Sequence, residues 1–224
     1  MKNTVYIMAK QHPVTPPELF ASIVSTHFIN TYTHIHAAHV KVVTHRWTRL
    51  TTDGVPHPHA FVRDGAETRN VEITAREGQG ISIQSAIAGL LVLKSTGSQF
   101  HGFIRDDYTT LPEVSDRILS TEVDCGWTWK PFGGVEEVKA EASKFDAAWD
   151  AARSITLKTF ATDSSASVQN TMYKMCSQVL DAVPDAMTVN YLLPNRHYFE
   201  IGISSCSPKC WKFRLTENNR LELA

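Results

Sequence analysis

The N-terminal quarter of the chain has a pattern that predicts a strand start followed by a helix. Residues 1–6 are typical of the start of a strand and unlike a secretion signal. Beyond Thr15, apolar residues recur three and four positions apart, which places them on one side of a helix. They are Leu19, Phe20, Ile23, Val24 and Phe28. With Thr15 as candidate N-cap and a proline at the first helical position, we predict a helix ending near Thr31.

Alternation of apolar and polar residues predicts strands over much of the next hundred positions. Val40 and Val42 alternate with polar neighbours, and the sequence Thr-Asp-Gly at 52–54 is a turn signal. The segments 71–75 and 81–83 flank a glycine-containing turn and predict a hairpin. Residues 90–93 continue the strand character, and residues 122–130 alternate as a half-buried strand does.

The C-terminal half changes to helical spacing and then returns to strands. One long helix is predicted from Lys144 onward, and a second begins at Ser165 or Ser167 and ends at 183–185. The segments 188–193 and 197–203 are two further predicted strands. This order of strands, two helices and strands predicts an α+β fold, with an antiparallel sheet and a helix pair on one face.

Composition narrows the class of protein without naming a function. The chain has 224 residues, 42% hydrophobic and 20% charged, which is typical of a globular protein of one large domain or two small ones. Lysine and arginine number 22 against 23 acidic residues, so we expect neither nucleic acid nor a membrane as partner. The longest apolar run, 86–93, is too short to span a bilayer. Four scattered cysteines favour a reducing compartment.

Motifs for metals, phosphates and nucleophilic serines give no specific signal. Two histidines one residue apart on a strand face the same side, but here no carboxylate or cysteine accompanies them at a known ligand spacing. The histidines that suggest a metal site are His34, His36, His39, His45, His57 and His59, and among them only the pairs 34/36 and 57/59 are separated by one residue. We therefore expect no bound metal. The Gly-Gln-Gly sequence at 78–80 lacks the third glycine of a nucleotide-binding loop, and no Gly-x-Ser-x-Gly elbow occurs.

Specific strings of residues carry a resemblance to a known family. They are KNTVY at 2–6, AKQHP at 9–13, PPELF at 16–20, HRWTR at 45–49, PHPH at 56–59, LKST at 93–96, SQF at 98–100, YTTL at 108–111, DRILST at 116–121, LKTF at 157–160, SASVQ at 165–169 and LPNRHYFEI at 193–201. In this order they make the chain resemble urate oxidases (uricases) from about Lys2 to Ile203.

The resemblance implies a fold, a reaction and an assembly. It implies tandem tunnelling-fold (T-fold) units, with residues 1–69 as the remainder of a first unit, 70–203 as a second and 204–224 as a divergent tail. Uricases oxidise urate with dioxygen and water to 5-hydroxyisourate and hydrogen peroxide, without a metal or organic cofactor. The implied assembly is a homotetramer. The implied location is the peroxisome, although the chain lacks a C-terminal Ser-Lys-Leu and is otherwise expected in the cytoplasm.

The same resemblance assigns four residues to substrate binding. Phe100 would stack on the flat purine, and Arg117 would form a two-pronged hydrogen bond to its anionic edge. Val168, through its backbone N–H, and Gln169, through its amide, would hold the opposite edge. Both lie near a predicted helix start, where unpaired N–H groups favour an anion.

Asn195 and His197 complete the implied site. Asn195 would hold dioxygen or water above the ring, and His197 would take part in a catalytic proton relay. In uricases this histidine works with a lysine and a threonine that precede the segment matching 2–4, so this chain is expected to be weak or inactive. The alternative is a non-catalytic purine-binding or subunit-interaction protein that lacks this relay.

Overall fold

A computed structural model describes residues 1–196, 198–201, 213–216 and 221–223. Five helices precede or interrupt the strands in the described residues: α1 (Lys2–Gln11), α2 (Pro17–Thr31), α3 (Val135–Ala140), α4 (Ala142–Thr162) and α5 (Val168–Ala182). The strands are β1 (Ala37–Thr52), β2 (Val55–Arg76), β3 (Gly80–Lys94), β4 (Leu119–Trp129), β5 (Ala186–Leu192), β6 (Asn195–Arg196), β7 (Tyr198–Ile201), β8 (Phe213–Thr216) and β9 (Leu221–Leu223).

The main sheet is antiparallel and its strands follow chain order. Strands β1 to β5 are neighbours in sequence order, and β6 adds to the same sheet by pairing with β4. The short strands β7, β8 and β9 pair with one another in a second antiparallel sheet. Strand β4 pairs with β6 at its N-terminal end. This end therefore connects the loop that precedes β4, residues 95–118, to the segment around Asn195.

One face of the main sheet is covered by helices and forms the core. From Thr121 to Trp129 of β4 every second residue is buried, so Val123, Cys125, Trp127 and Trp129 all face the helices. Phe145 of α4 lies against Trp129 with the ring centroids 4.9 Å apart. Burying each such side chain contributes about 1.5–3 kcal/mol, and this face therefore holds the fold together.

A buried polar network ties α2 and α4 to the sheet. Glu18 is fully buried and accepts hydrogen bonds from Arg69 (2.8 Å) and from the Ser85 hydroxyl (2.7 Å). Trp129 donates to Ser85 (3.0 Å), and Arg69 also donates to Asp146 of α4 (2.6 Å). Burial raises the pKa of Glu18, and the charge of Arg69 opposes that shift. Removing one partner of a buried ion pair typically costs about 3–5 kcal/mol, so this network fixes helix position.

The prediction of a strand at residues 1–6 is wrong, because this segment belongs to helix α1. Met8 is buried with Phe20, Val24 and Phe28 of α2, and Val5 packs against the same cluster. Val5 and Met8 are three positions apart and lie on one side of a helix. Packing against α2 therefore determines the structure of this segment more strongly than the weak local sequence pattern does.

The helices and strands predicted between residues 17 and 193 are confirmed, with one cap misplaced, although the short helix α3 was not predicted. Of the predicted strand 197–203, only residues 198–201 are described, and they form β7; residues 197, 202 and 203 lie outside the described residues. Helix α2 begins at Pro17 with Pro16 as its N-cap, whereas we predicted Thr15. Pro17 has no N–H that needs a cap, and Glu18 brings negative charge to the first turn. The N-cap of α5 is Ser167, one of the two predicted serines.

The expected boundary between residues 69 and 70 lies inside the continuous strand β2, and the division into two units stays a prediction. No helix among the described residues is long and apolar enough to cross a membrane.

Candidate functional site

The loop between β3 and β4, residues 95–118, carries two of the predicted site residues and is called the site loop here. Its two ends are joined by backbone hydrogen bonds. Phe100 and Val114 exchange N–H···O=C bonds of 2.8 and 2.9 Å, and the Arg117 N–H donates to the Ser98 carbonyl (2.9 Å). The site loop is therefore closed at its neck, with Phe100 and Arg117 on facing segments.

Asp116 adds a side-chain clamp to this neck. Its carboxylate accepts a hydrogen bond from the Thr96 hydroxyl (2.6 Å) and another from the Gly97 N–H (2.8 Å). Gly97 has φ +77°, a conformation that glycine adopts without strain. The Thr96 hydroxyl and the Gly97 N–H lower the pKa of Asp116. The ionised clamp therefore holds above the ordinary aspartate pKa of about 3.9 and is lost only as the pH falls through the lowered value.

The neck of the site loop docks against the segment that starts α5. Ser98 and Ser165 form a parallel bridge, in which Gln99 N–H donates to the Ser165 carbonyl (2.8 Å) and Ser165 N–H to the Gly97 carbonyl (3.2 Å). The Ser167 side chain caps α5 by accepting from the Asn170 N–H (3.2 Å). The first turn of a helix has N–H groups without helical acceptors and a partial positive charge. The start of α5, where a partial positive charge favours anions, thus lies beside the site loop.

Arg117 lies over the ring of Phe100, with the guanidinium carbon 5.5 Å from the ring centroid. The Nε atom of Arg117 is enclosed and has no hydrogen-bond partner among the described residues, and the same holds for the hydroxyl of Ser98. Buried polar atoms are nearly always hydrogen-bonded in proteins. A half-buried arginine beside an aromatic ring is suited to a flat anionic ligand, whose acceptors the guanidinium fork would bind.

The predicted residues of α5 are placed as expected at its first turn. Val168 is the first residue of α5 and half-buried, and Gln169 follows it and is exposed. Their roles toward a purine stay predictions.

Asn195 lies on β6, opposite Thr121 of β4, and Thr121 donates through its hydroxyl to the Pro194 carbonyl (2.9 Å). Thr121 follows Arg117 by four residues, so β4 connects Asn195 to the end of the site loop. His197, the predicted relay residue, lies outside the described residues.

A second arginine–phenylalanine pair in the site loop was missed by the sequence reasoning. Arg105 lies over Phe103, with its guanidinium carbon 5.4 Å from the ring centroid, and Phe103 stacks on Phe100 with centroids 4.8 Å apart. Arg105 is exposed and donates to the Leu111 carbonyl (2.9 Å). Asp116 and Thr96 were also missed as functional residues, although both lie within strings that carry the family resemblance.

The histidines and cysteines do not form a further cluster in the part of the chain that the structure describes. No group of three or more His, Cys, Asp or Glu side chains there is placed to hold a metal ion. His36 pairs with Glu77 (2.7 Å) on the surface. Burial raises the pKa of the Cys125 thiol to about 12, which leaves it unreactive at neutral pH.

Comparison with known proteins identifies the class of protein that this fold and site represent. The family model described as "Uricase" matches residues 1–74 and 83–220, which extends beyond Ile203, where the resemblance found in the sequence ends. The chain is 64% identical over 204 residues to a uricase from Emericella nidulans and 62% identical to one from Aspergillus flavus. Each match covers 91% of this chain and 68% of the relative.

A solved structure agrees with these matches. The crystal structure of uricase from Arthrobacter globiformis is 32% identical, with a TM-score of 0.79 over 100% of this chain and 70% of that one. The fold is thus that of uricases, an antiparallel sheet with helices packed on one face, as the α+β prediction required. The chain belongs to the uricase family.

Proposed function

We propose that this protein is a urate oxidase that binds urate where the site loop meets the start of α5. The observation that carries the proposal is the half-buried guanidinium of Arg117 over the ring of Phe100, with its Nε unpaired among the described residues. A guanidinium offers parallel donors in a rigid fork, which matches two adjacent acceptors of a flat anion. Membership of the uricase family supplies the substrate that fits this chemistry.

Each proposed binding residue addresses a different part of the purine. Phe100 provides an aromatic face for stacking, and Arg117 binds one edge of the ring. The backbone N–H of Val168 and the side-chain amide of Gln169 bind the opposite edge, assisted by the partial positive charge of the helix start. Together these contacts fix the ring plane and favour the anionic form of urate over the neutral one.

The proposed reaction is the direct oxidation of the bound urate by dioxygen. Urate, dioxygen and water give 5-hydroxyisourate and hydrogen peroxide, so the two electrons lost by urate reduce dioxygen to peroxide. A deprotonated purine is electron-rich enough to pass an electron to dioxygen, and the protein then needs only to bind, deprotonate and position. Asn195 would hold dioxygen or water above the ring, and His197 would move the proton. We propose that the reaction uses neither a metal nor an organic cofactor.

The family resemblance implies that His197 works in the proton relay with a lysine and a threonine. General acid–base catalysis contributes about 10²–10⁴ in rate, so we infer that a uricase polypeptide without these two partners binds urate but turns it over slowly.

We also propose that the protein works as a homotetramer. The outer parts of β1 and β2, residues 44–66, form a two-stranded arm that is exposed on both faces. Trp47 and Phe61 on this arm are 60% and 46% exposed. An isolated two-stranded ribbon is only marginally stable in water, and exposed apolar side chains of this size are typical of subunit contacts. Further copies of the chain would cover the arm. Location in the peroxisome stays a prediction from the family resemblance.

The test is urate consumption by the purified chain, followed with dioxygen uptake and peroxide release. We expect urate to disappear with one peroxide formed per urate, and a rate about 10²–10⁴ below that of the Aspergillus flavus uricase measured in parallel would indicate that the relay is incomplete. Calorimetry with urate in dioxygen-free buffer separates the alternatives. Binding without any turnover supports the non-catalytic purine-binding protein, and absence of binding contradicts both functions.

A further inference from the structure

We propose that Asp116 is a positioning residue for Arg117, one that places the guanidinium without touching the substrate. The inference rests on the proposed function, because it concerns how the urate site is held in shape. It names a residue whose role neither the strings of the sequence nor the family comparison assigns.

The contacts of Asp116 join the two sides of the neck. Its carboxylate binds the Thr96 hydroxyl and the Gly97 N–H, twenty and nineteen positions away along the chain. The next residue, Arg117, donates its N–H to the Ser98 carbonyl. Three successive residues, 96–98, are thereby held against the pair 116–117. The backbone from which the Arg117 side chain extends is fixed by this clamp.

The clamp also sets the distance between Arg117 and α5. The Gly97 residue that donates to Asp116 accepts the Ser165 N–H (3.2 Å) through its carbonyl, and Gln99 donates to the Ser165 carbonyl (2.8 Å). Ser165 lies three residues before Val168, the first residue of α5. Asp116 therefore connects the arginine that would bind one edge of the purine to the helix start that would bind the other.

Arg117 needs such positioning because its own side chain is weakly anchored. Its Nε has no partner among the described residues, and the contact described for the guanidinium is the ring of Phe100. A long side chain loses rotamer freedom when it is ordered, and a ligand that must order it binds more weakly. A backbone that is already fixed removes the additional cost of ordering the main chain that carries Arg117 when the ligand binds.

Asp106 in the same loop is a matched control. Its carboxylate also accepts from a threonine hydroxyl, Thr109 (2.8 Å), and from a backbone N–H, that of Tyr108 (3.0 Å). These partners are two and three positions away, so Asp106 fixes only its own turn at the far end of the loop. Substituting Asp106 removes the same chemistry without opening the neck.

The experiment is urate calorimetry in dioxygen-free buffer on the full chain and its variants. We expect Asp116→Asn to raise the dissociation constant about tenfold and Asp106→Asn to change it less than twofold, since only the first substitution frees Arg117. Thr96→Val, which removes one of the two clamp partners, should raise it about threefold. In an Arg117→Ala background, Asp116→Asn should have no further effect, as expected for two residues that act as one unit.

The outcomes separate the inference from the proposed function. If the unaltered chain binds urate and Asp116→Asn binds it equally well, the positioning role is wrong and the proposed function stands. If Asp116→Asn weakens urate binding equally in the presence and absence of Arg117, the inference is also overturned, because Asp116 would then act on the fold in general. If the unaltered chain binds no urate, the proposed function itself fails.

Discussion

The site loop contains two arginine–phenylalanine pairs of nearly equal geometry, and only one of them has the surroundings of a binding site. Arg117 lies 5.5 Å from the ring of Phe100, and Arg105 lies 5.4 Å from that of Phe103. Arg117 is half-buried and its Nε has no partner in the part of the chain that the structure describes, whereas Arg105 is exposed and donates to the Leu111 carbonyl. A charged group in water gains little free energy from an ion pair, whereas an enclosed charged group gains much more.

The two pairs also differ in what lies beside them. The neck that carries Arg117 is bridged to Ser165 and so to the start of α5, while the turn that carries Arg105 is closed by its own hydrogen bonds to Asp106. Residue type and local geometry are therefore not enough to define an anion site. Enclosure, an unused donor and a second element with free N–H groups distinguish the Arg117 pair.

The largest expected effect comes from removing each arginine in turn. Arg117→Ala should weaken urate binding about 100-fold, because it deletes a two-pronged, charge-assisted hydrogen bond in an enclosed place. Arg105→Ala, the matched control, should change binding less than twofold. Calorimetry with urate in dioxygen-free buffer measures both. Similar losses for the two variants would mean that the pairs are equivalent and that enclosure does not select the site.

A smaller difference is expected from the two phenylalanines. Phe100→Ala removes the proposed stacking face and should weaken urate binding about tenfold, since aromatic contacts contribute about 0.5–1.5 kcal/mol beyond the area they bury. Phe103→Ala should weaken urate binding about twofold, because it removes the ring that stacks on Phe100 with the centroids 4.8 Å apart. Fluorescence or calorimetric titration gives both constants. If Phe103→Ala weakens urate binding more than Phe100→Ala does, the purine stacks on Phe103, which contradicts the proposed site.

Much of the sheet could be predicted because burial repeats with a short period. The alternation of Val123, Cys125, Trp127 and Trp129 is visible in the sequence and is the pattern that the structure buries. Helix α1 could not be predicted in this way. Its register is set by contact with Phe20 and neighbouring residues of α2, and such contacts leave little trace in a local pattern.

The site was predictable only where a residue type carries a local signal or a family string. Ser167 is an example of the first, since a serine before a helix is a common cap. The clamp of Asp116 on Thr96 is different, because its partners are twenty positions apart in a loop without periodicity. Long-range polar contacts of this kind become visible only when the chain is folded.

The central claim is that urate binds between Arg117 and the start of α5, and hydrogen exchange of the backbone amides tests it most directly. Urate added without dioxygen should slow exchange in the peptides that cover 98–100, 116–118 and 167–170, because the ligand shields the free N–H groups at the first turn of α5 and steadies the neck. Exchange in the peptide covering 103–112 should stay unchanged. Slowing confined to 103–112, or urate binding with no slowing at 167–170, would contradict the account.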